Sequence, residues 1–398
     1  MKKAFFTGLL LSAALVLFGD PAPELEVYSR MYDDVTTAVQ KLEVLKTVVE
    51  AEKAGTLSEA ETFYARALNQ LVARYSTIQG NQNVDAADSI AQIVSERLGE
   101  LKYEPAKTDL LRVVNSFPNS LVRSGAMIAL SKIPAPEYLP QVVKILADLN
   151  SLPSADRQEG ERLAYGAITA LGNYKDISGY IPVFFASRGW YSDRTRSLAR
   201  ETLPNIAADP SESLISVIKN PGYTYEERYT ALQVVEASSV SEEKKAAAAV
   251  TGLSEGWRAA TADPRQRMIL TNIRKLSINM IREYGTEDPA VYPLLEKSYN
   301  DGIDEEERLG AVSALSVLAS NDSVRLLSAF IVAMNVRLQD GTLTQGDERT
   351  IRALIPALGA TGNSDGALAL RSVQNTSWTN AVKRLAATAL KNISDRSK

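Results

Sequence analysis

From residue 25 onward, apolar positions recur on a helical period. Leu25, Tyr28, Tyr32, Val35, Val39, Leu42, Leu45 and Val49 step by three and four, which places them on one stripe of a helix of about seven turns. The stripe stops at Gly55. Ser58 followed by Glu61 is a capping-box signature and predicts a second helix whose inner face is Phe63, Tyr64, Ala67, Leu68, Leu71 and Tyr75. GNQN at 80–83 predicts the next break, with a third helix from Asp85 to about Leu101 that turns Ile90, Val94, Leu98 and Leu101 inward. The first stripe suits a dimerising coiled coil or a long helix folded against the next two, and the second arrangement is preferred.

From Thr108 a single pattern returns: basic-x-x-small-x-x-apolar-apolar. Arg123 leads to Ala126, Ala129 and Leu130; Arg196 to Ala199, Thr202 and Leu203; Arg228 to Ala231, Val234 and Val235. Arg274 leads to Ser277, Met280 and Ile281; Arg308 to Ala311, Ala314 and Leu315; Lys383 to Ala386, Ala389 and Leu390. Two looser copies, at Ala167 and Leu354, lack the cation. Positions 0, 3, 6 and 7 of the motif share one helical face. The small residue admits a neighbouring helix, and the apolar pair fills the seam. The leading cation sits near a helix start, where the macrodipole opposes it, so it needs a specific polar partner in a neighbouring loop or helix.

Between motifs lie further apolar runs, each behind a Pro or turn: YLPQVVKILADL, YIPVFFASR and VYPLLEKSY. Each unit therefore reads helix, turn, helix, at steps of 32 to 46 residues, the range of helical repeats. SLVRSGAMIALSKI and EERLGAVSALSVLAS resemble the second helix of HEAT repeats, including the bacterial HEAT-like units of phycobilisome-lyase relatives. The resemblance covers residues 106–398, after an N-terminal helical segment at 20–105. It implies an all-α, right-handed α-solenoid whose motif helices line the concave side. It also implies an Asp in the turn for each Arg, a place that Asp193 fits for Arg196 and Asp304 for Arg308. A further internal match, KAGTLSEAETFYARAL near Gly55 and QDGTLTQGDERTIRAL near Gly341, predicts a Gly stop followed by a Ser58- or Thr344-capped helix in both places.

Composition narrows the chemistry. The chain has 398 residues, 45% hydrophobic and only 7% aromatic, which suits Ala/Leu-packed helices and the open-ended growth of a repeat array. It contains no Cys and no His. That removes disulfides, thiol nucleophiles, imidazole bases and Cys/His zinc sites. The formal net charge of −4 provides no basic footprint for nucleic acid.

The opening MKKAFFTGLLLSAALVLFG reads as a signal peptide. Lys2 and Lys3 form the basic region, and Ala4 to Phe18 is an apolar run too short for a membrane span. Cleavage is expected after Gly19, despite Leu17 at the −3 position; an uncleaved apolar anchor is the alternative. LVLFG resembles a lipoprotein box, but Asp20 stands where the lipidated Cys is required, so no lipid anchor is expected. A periplasmic or secreted location in a bacterial envelope follows.

DGTLTQGDE at 340–348 looks like half of a calcium loop, but Val336 and Leu338 occupy the first ligand positions and cannot bind the ion. DGIDEEE at 301–307 reads as a solvated turn and helix start. No Ser/Lys or paired-carboxylate motif stands out, and neither metal nor cofactor is expected. The local anomaly is aromatic: Tyr165, Tyr174, Tyr180, Phe184, Phe185, Trp190, Tyr191, Tyr223, Tyr225 and Tyr229, interleaved with Arg188, Arg194, Arg196 and Arg200. Tyr, Trp and Arg are the residue types of interface hot spots. Trp190, Tyr191, Arg194, Tyr223 and Tyr225 are thus candidate partner-binding residues, with packing between repeats as the competing reading. Three functions remain open: a non-enzymatic envelope scaffold binding a protein partner or its own copies, a glycan- or peptidoglycan-binding array, and an enzyme or nucleic-acid binder, since HEAT-like folds also occur in DNA glycosylases.

Overall fold

The computed structural model describes residues 25–151 and 156–396. The expected leader at 1–19 lies outside them. All regular structure among the described residues is helical, and the helices group into two units, one ending at Ala208 and the other starting at Asp209.

The first unit holds α1 (Leu25–Asp34), α2 (Ala38–Lys53), α3 (Ala60–Arg74), α4 (Asn81–Glu100), α5 (Lys107–Ser116), α6 (Ser120–Lys132), α7 (Leu139–Ser151), α8 (Arg157–Tyr174), α9 (Tyr180–Ala186) and α10 (Asp193–Ile206). Consecutive helices pair as hairpins. The even-numbered helices stack in one layer, α2 on α4, α4 on α6, α6 on α8 and α8 on α10, while α3 meets α5 and α7 meets α9 in the other.

The second unit repeats the plan with α11 (Ser211–Lys219), α12 (Tyr225–Ala237), α13 (Glu242–Arg258), α14 (Pro264–Tyr284), α15 (Val291–Asp301), α16 (Glu305–Leu318), α17 (Asn321–Gln339), α18 (Asp347–Thr361), α19 (Ala367–Gln374) and α20 (Asn380–Arg396). Here α12, α14, α16, α18 and α20 form one continuous layer, and α11, α13, α15, α17 and α19 form the other. Each layer buries the apolar stripe of the other, so core size grows with the number of hairpins.

The motif marks the even-numbered layer. Its small residue, Ala126, Ala199, Ala231, Ser277, Ala311 or Ala386, is buried in every copy. The next small position governs helix spacing. A Cβ built on Gly99 of α4 would lie 2.7 Å from the Ala129 Cα of α6, and one on Gly359 of α18 would lie 2.6 Å from the Ala389 Cβ of α20. The helices approach until backbone meets side chain, which only glycine permits there.

Several helix ends differ from the sequence expectation. The long first stripe is broken into α1 and α2, because Thr37 and Gln40 form a capping box that satisfies two free N–H groups at a new helix start. Ser58 does not cap α3; the helix begins after Glu59, held at φ 58°. The break near residue 80 lies earlier than GNQN suggests: Gly80, at φ 84°, precedes α4, which runs from Asn81. Leu101, expected inward, is 40% exposed. Thr344 likewise is not a side-chain cap; its backbone N–H donates to Asp347, 2.6 Å away. The glycine stops do hold, with Gly55 at φ 71° and Gly341 at φ 65°. No described helix is long and apolar enough to cross a membrane.

Candidate functional site

The aromatic residues of 188–194 belong to the first unit, and their polar edges are engaged. The Trp190 indole N–H donates to the Leu149 carbonyl at 2.9 Å. The Tyr191 hydroxyl donates to Asn150 at 2.9 Å, and Asn150 in turn donates to the Pro182 carbonyl at 2.8 Å. The Trp190 and Tyr191 rings lie 4.4 Å apart, and Tyr191 is 2% exposed. This pair pins the loop before α10 to the end of α7. Burial and Glu161 push the Tyr191 hydroxyl well above its ordinary range. Arg194 is exposed, 5.3 Å from the Tyr165 ring centre.

The motif cations find different partners. Arg123 donates through Nε to the Val114 carbonyl at 2.7 Å, and Arg196 pairs with Asp193 at 2.6 Å, as the turn-Asp expectation has it. Asp304 does not serve Arg308, which is exposed. It accepts instead from the backbone N–H of Glu307 at 2.8 Å and from Lys275 at 3.3 Å. An N-cap carboxylate is committed to the first turn of its own helix, which takes it away from the Arg one turn on. Lys383 is half-buried on α20.

Arg274 is the most fully satisfied. Its Nε and Nη2 donate to the two Glu307 oxygens at 2.5 and 3.0 Å, Nη1 to the Gly256 carbonyl at 3.2 Å, and Nη2 also to Thr271 at 3.1 Å. The guanidinium lies 4.2 Å from the Trp257 ring centre. Glu307, from the acidic segment expected to be solvated, has a side chain 0% exposed. Burial of this charge is supported by the bidentate fork and by the Ile303 N–H.

Arg228 is equally buried, at 5% exposure, but poorly paired. Its one carboxylate neighbour is Glu255, at 3.8 Å, and its Nε has no hydrogen-bond acceptor. Glu255 already binds Arg258 at 2.9 Å. Arg228 sits 5.7 Å from the Tyr225 ring centre. All these residues line one surface cavity of about 440 Å³, together with Tyr223 and Gln266. Burial and Glu227 push the Tyr223 hydroxyl above its ordinary range. The cavity thus combines two guanidiniums on one half-buried carboxylate with two phenol rings, a setting for an anionic or hydrogen-bonding group.

Tyr223 and Tyr225 were the sequence candidates here; Arg228 stood out only as a repeat cation, and Glu255, Arg258 and Gln266 were not singled out. The register of the motif helices signals Gln266, the third residue of α14. A second cavity, of about 340 Å³ in the first unit, is lined by Lys41, which already donates to the Tyr32 carbonyl at 2.8 Å. No group of three or more acidic side chains among the described residues is arranged to hold a metal ion. The chain matches no family model, and no curated protein sequence matches it.

Proposed function

We propose that the protein is a non-catalytic interaction protein of the bacterial envelope, built as a right-handed solenoid of HEAT-like hairpins and holding a protein partner through the cavity at Tyr223, Tyr225 and Arg228. The observation that carries this reading is the buried Arg228, which lines an open cavity with an Nε lacking an acceptor. A buried donor without a partner is costly, and a small turn of the Arg228 side chain toward an acceptor in the cavity would relieve it. The stacked hairpins support the solenoid, the motif spacing supports the HEAT likeness, and the basic-apolar opening supports export. A glycan-binding reading has less support, because the Trp190 edge it would use is bonded to Leu149.

The test is crosslinked co-purification of the full chain from its native envelope, comparing wild type with Tyr223→Ala/Tyr225→Ala. A stoichiometric protein captured by the wild type and lost from the variant, with helical circular dichroism unchanged, is expected. Capture that is indifferent to both tyrosines moves the interface elsewhere. A strictly monomeric protein that captures nothing counts against the interaction reading itself.

A further inference from the structure

The second unit contains its own control for Arg228. Arg274 holds the same motif position in the next copy, and its carboxylate comes from Glu307, the third residue of the following motif helix α16, whose cap is Asp304. The helix that follows Arg228 in the same register is α14. Its cap is Asp263, and its third residue is Gln266. Gln266 lines the cavity with Arg228, but it carries no charge, and its amide oxygen accepts from Thr261 at 2.8 Å. In the first unit, Glu159 holds the corresponding place: it is the third residue of α8, capped by Asp156, and its charge acts on Arg123. In that copy Nε also has an acceptor. Arg228 alone among these three has lost the in-chain carboxylate, and it alone has an unsatisfied Nε.

We infer that the Arg228 cavity binds a carboxylate, which enters from outside and takes the place that Glu307 fills beside Arg274. A planar carboxylate matches the Nε–Nη edge of a guanidinium in bidentate fashion; Nε is covered in the ligand-free protein, so the side chain turns slightly to present that edge. The local balance also favours it, because Arg228 and Arg258 share the single carboxylate of Glu255. Glu226, the other acid on the lining, is exposed at the rim, where solvent screens it. Tyr223 and Tyr225 line the same cavity and can cover the apolar stem that carries the group. The volume of about 440 Å³ admits a free organic acid or the end of a peptide, which share this chemistry. The inference rests on the reading of this cavity as the binding site and names what it binds.

The experiment uses the full chain, with binding followed by calorimetry and by thermal shift at constant ionic strength. The probes are acetate, succinate, tri-alanine with a free C-terminus and tri-alanine amide, with chloride as reference. Saturable binding of carboxylate probes but not of the amide is expected. Binding limited to the small acids points to a metabolite-sized ligand, and preference for the free-acid peptide points to a chain terminus. The decisive variant is Gln266→Glu, which restores the in-chain carboxylate. It should raise the midpoint of the ligand-free protein and weaken carboxylate binding by at least about tenfold. Arg228→Met should also abolish binding, but Gln266→Glu keeps the test intact if that variant fails to fold. Equal binding of acid and amide, no saturable binding of any carboxylate, or unchanged affinity in Gln266→Glu overturns the inference. Partner capture that depends on the tyrosines but ignores carboxylates and Gln266→Glu would leave the interaction reading standing and remove only the carboxylate.

Discussion

Replacing Glu307 by Gln tests the energetic logic of the motif cation. The change keeps side-chain volume and removes one charge from a pair in which Arg274 is 5% exposed and Glu307 0% exposed. Removing one member of a buried pair typically costs about 3–5 kcal/mol, because the remaining charge stays buried without its counter-ion. Here part of the loss is offset. The amide oxygen of Gln can still accept one bond, and the Gly256 carbonyl and Trp257 ring still face the guanidinium. A ring in this position contributes up to about 2 kcal/mol when desolvated. The expected cost is therefore near the low end, about 3 kcal/mol. For a cooperative unit of this size, that lowers its melting temperature by roughly 6–12 °C.

The companion Arg274→Met/Glu307→Leu replaces the pair by hydrocarbon. It should cost less than either single change, because no buried charge is left alone; the residual cost, about 1–2 kcal/mol, comes from the Gly256 carbonyl and the Ile303 N–H losing their partners. Urea unfolding followed by far-ultraviolet circular dichroism, on wild type, Arg274→Met, Glu307→Leu and the double variant, measures the four corners of the cycle, with Glu307→Gln measured beside them. A cost below about 1 kcal/mol for Glu307→Gln, or a double variant whose cost equals the sum of Arg274→Met and Glu307→Leu, would refute the reasoning.

The close helix approach predicts opposite signs for two Gly→Ala changes. At Gly125, where a Cβ meets nothing within 4 Å, Ala should stabilise by about 0.5–1 kcal/mol through helix propensity; at Gly99, the same gain is outweighed by overpacking against the Ala129 backbone, for a net loss of roughly 1–2 kcal/mol in urea unfolding. Trp190→Ala should destabilise the first unit by roughly 2 kcal/mol, since it removes a half-buried ring and strands the Leu149 carbonyl. At low pH, Glu52 matters. Its burial pushes its pKa up, but hydrogen bonds from Arg97 and Tyr64 outweigh this and hold it below the usual carboxylate range. Its contribution is thus fully present above about pH 4.3 and lost as pH falls through the lower native value, so Glu52→Gln should flatten the acid limb of the stability profile. At high pH, burial pushes Tyr180 and Tyr299 up to about 12. Their contribution is intact below pH 10 and lost as pH rises toward 12, and phenolate absorbance should show these hydroxyls ionising late or together with unfolding.

The hairpin array was legible because its signal is redundant: six copies of one motif place six small residues on one face, and all six are buried. Helix ends were less so, because each rests on a single local bond. Thr37 with Gln40 forms a capping box as readable as Ser58 with Glu61, yet the first caps α2 and the second caps nothing. The apolar stripe running through Thr37 hid the true start. The aromatic cluster divided along a line that composition cannot draw. Trp190 and Tyr191 have polar tips that reach Leu149 and Asn150, about forty residues back. Tyr223 and Tyr225 line a cavity. The acidic turn at 301–307 read as solvated because its deep partner, Arg274, lies one whole repeat earlier in sequence.

That last case shows what the repeat makes possible. For Arg274 the cation is set by one helix, while the carboxylate that satisfies it is the third residue of the next motif helix, supplied by the following copy. Interior position and counter-charge are therefore separable: the cation can be kept for packing register while the partner is exchanged. With Glu307 the position becomes a sealed internal pair; with Gln266 the cation keeps a buried donor without an acceptor, in a residue that lines a cavity. Glu307→Gln and Gln266→Glu are then the same exchange run in opposite directions, and their effects on stability must have opposite signs. The first should lower stability and the second raise it in the absence of ligand. If both lower it, the residue at the third helical position does not decide the fate of the cation, and the Arg228 cavity owes its unsatisfied donor to something other than the missing carboxylate.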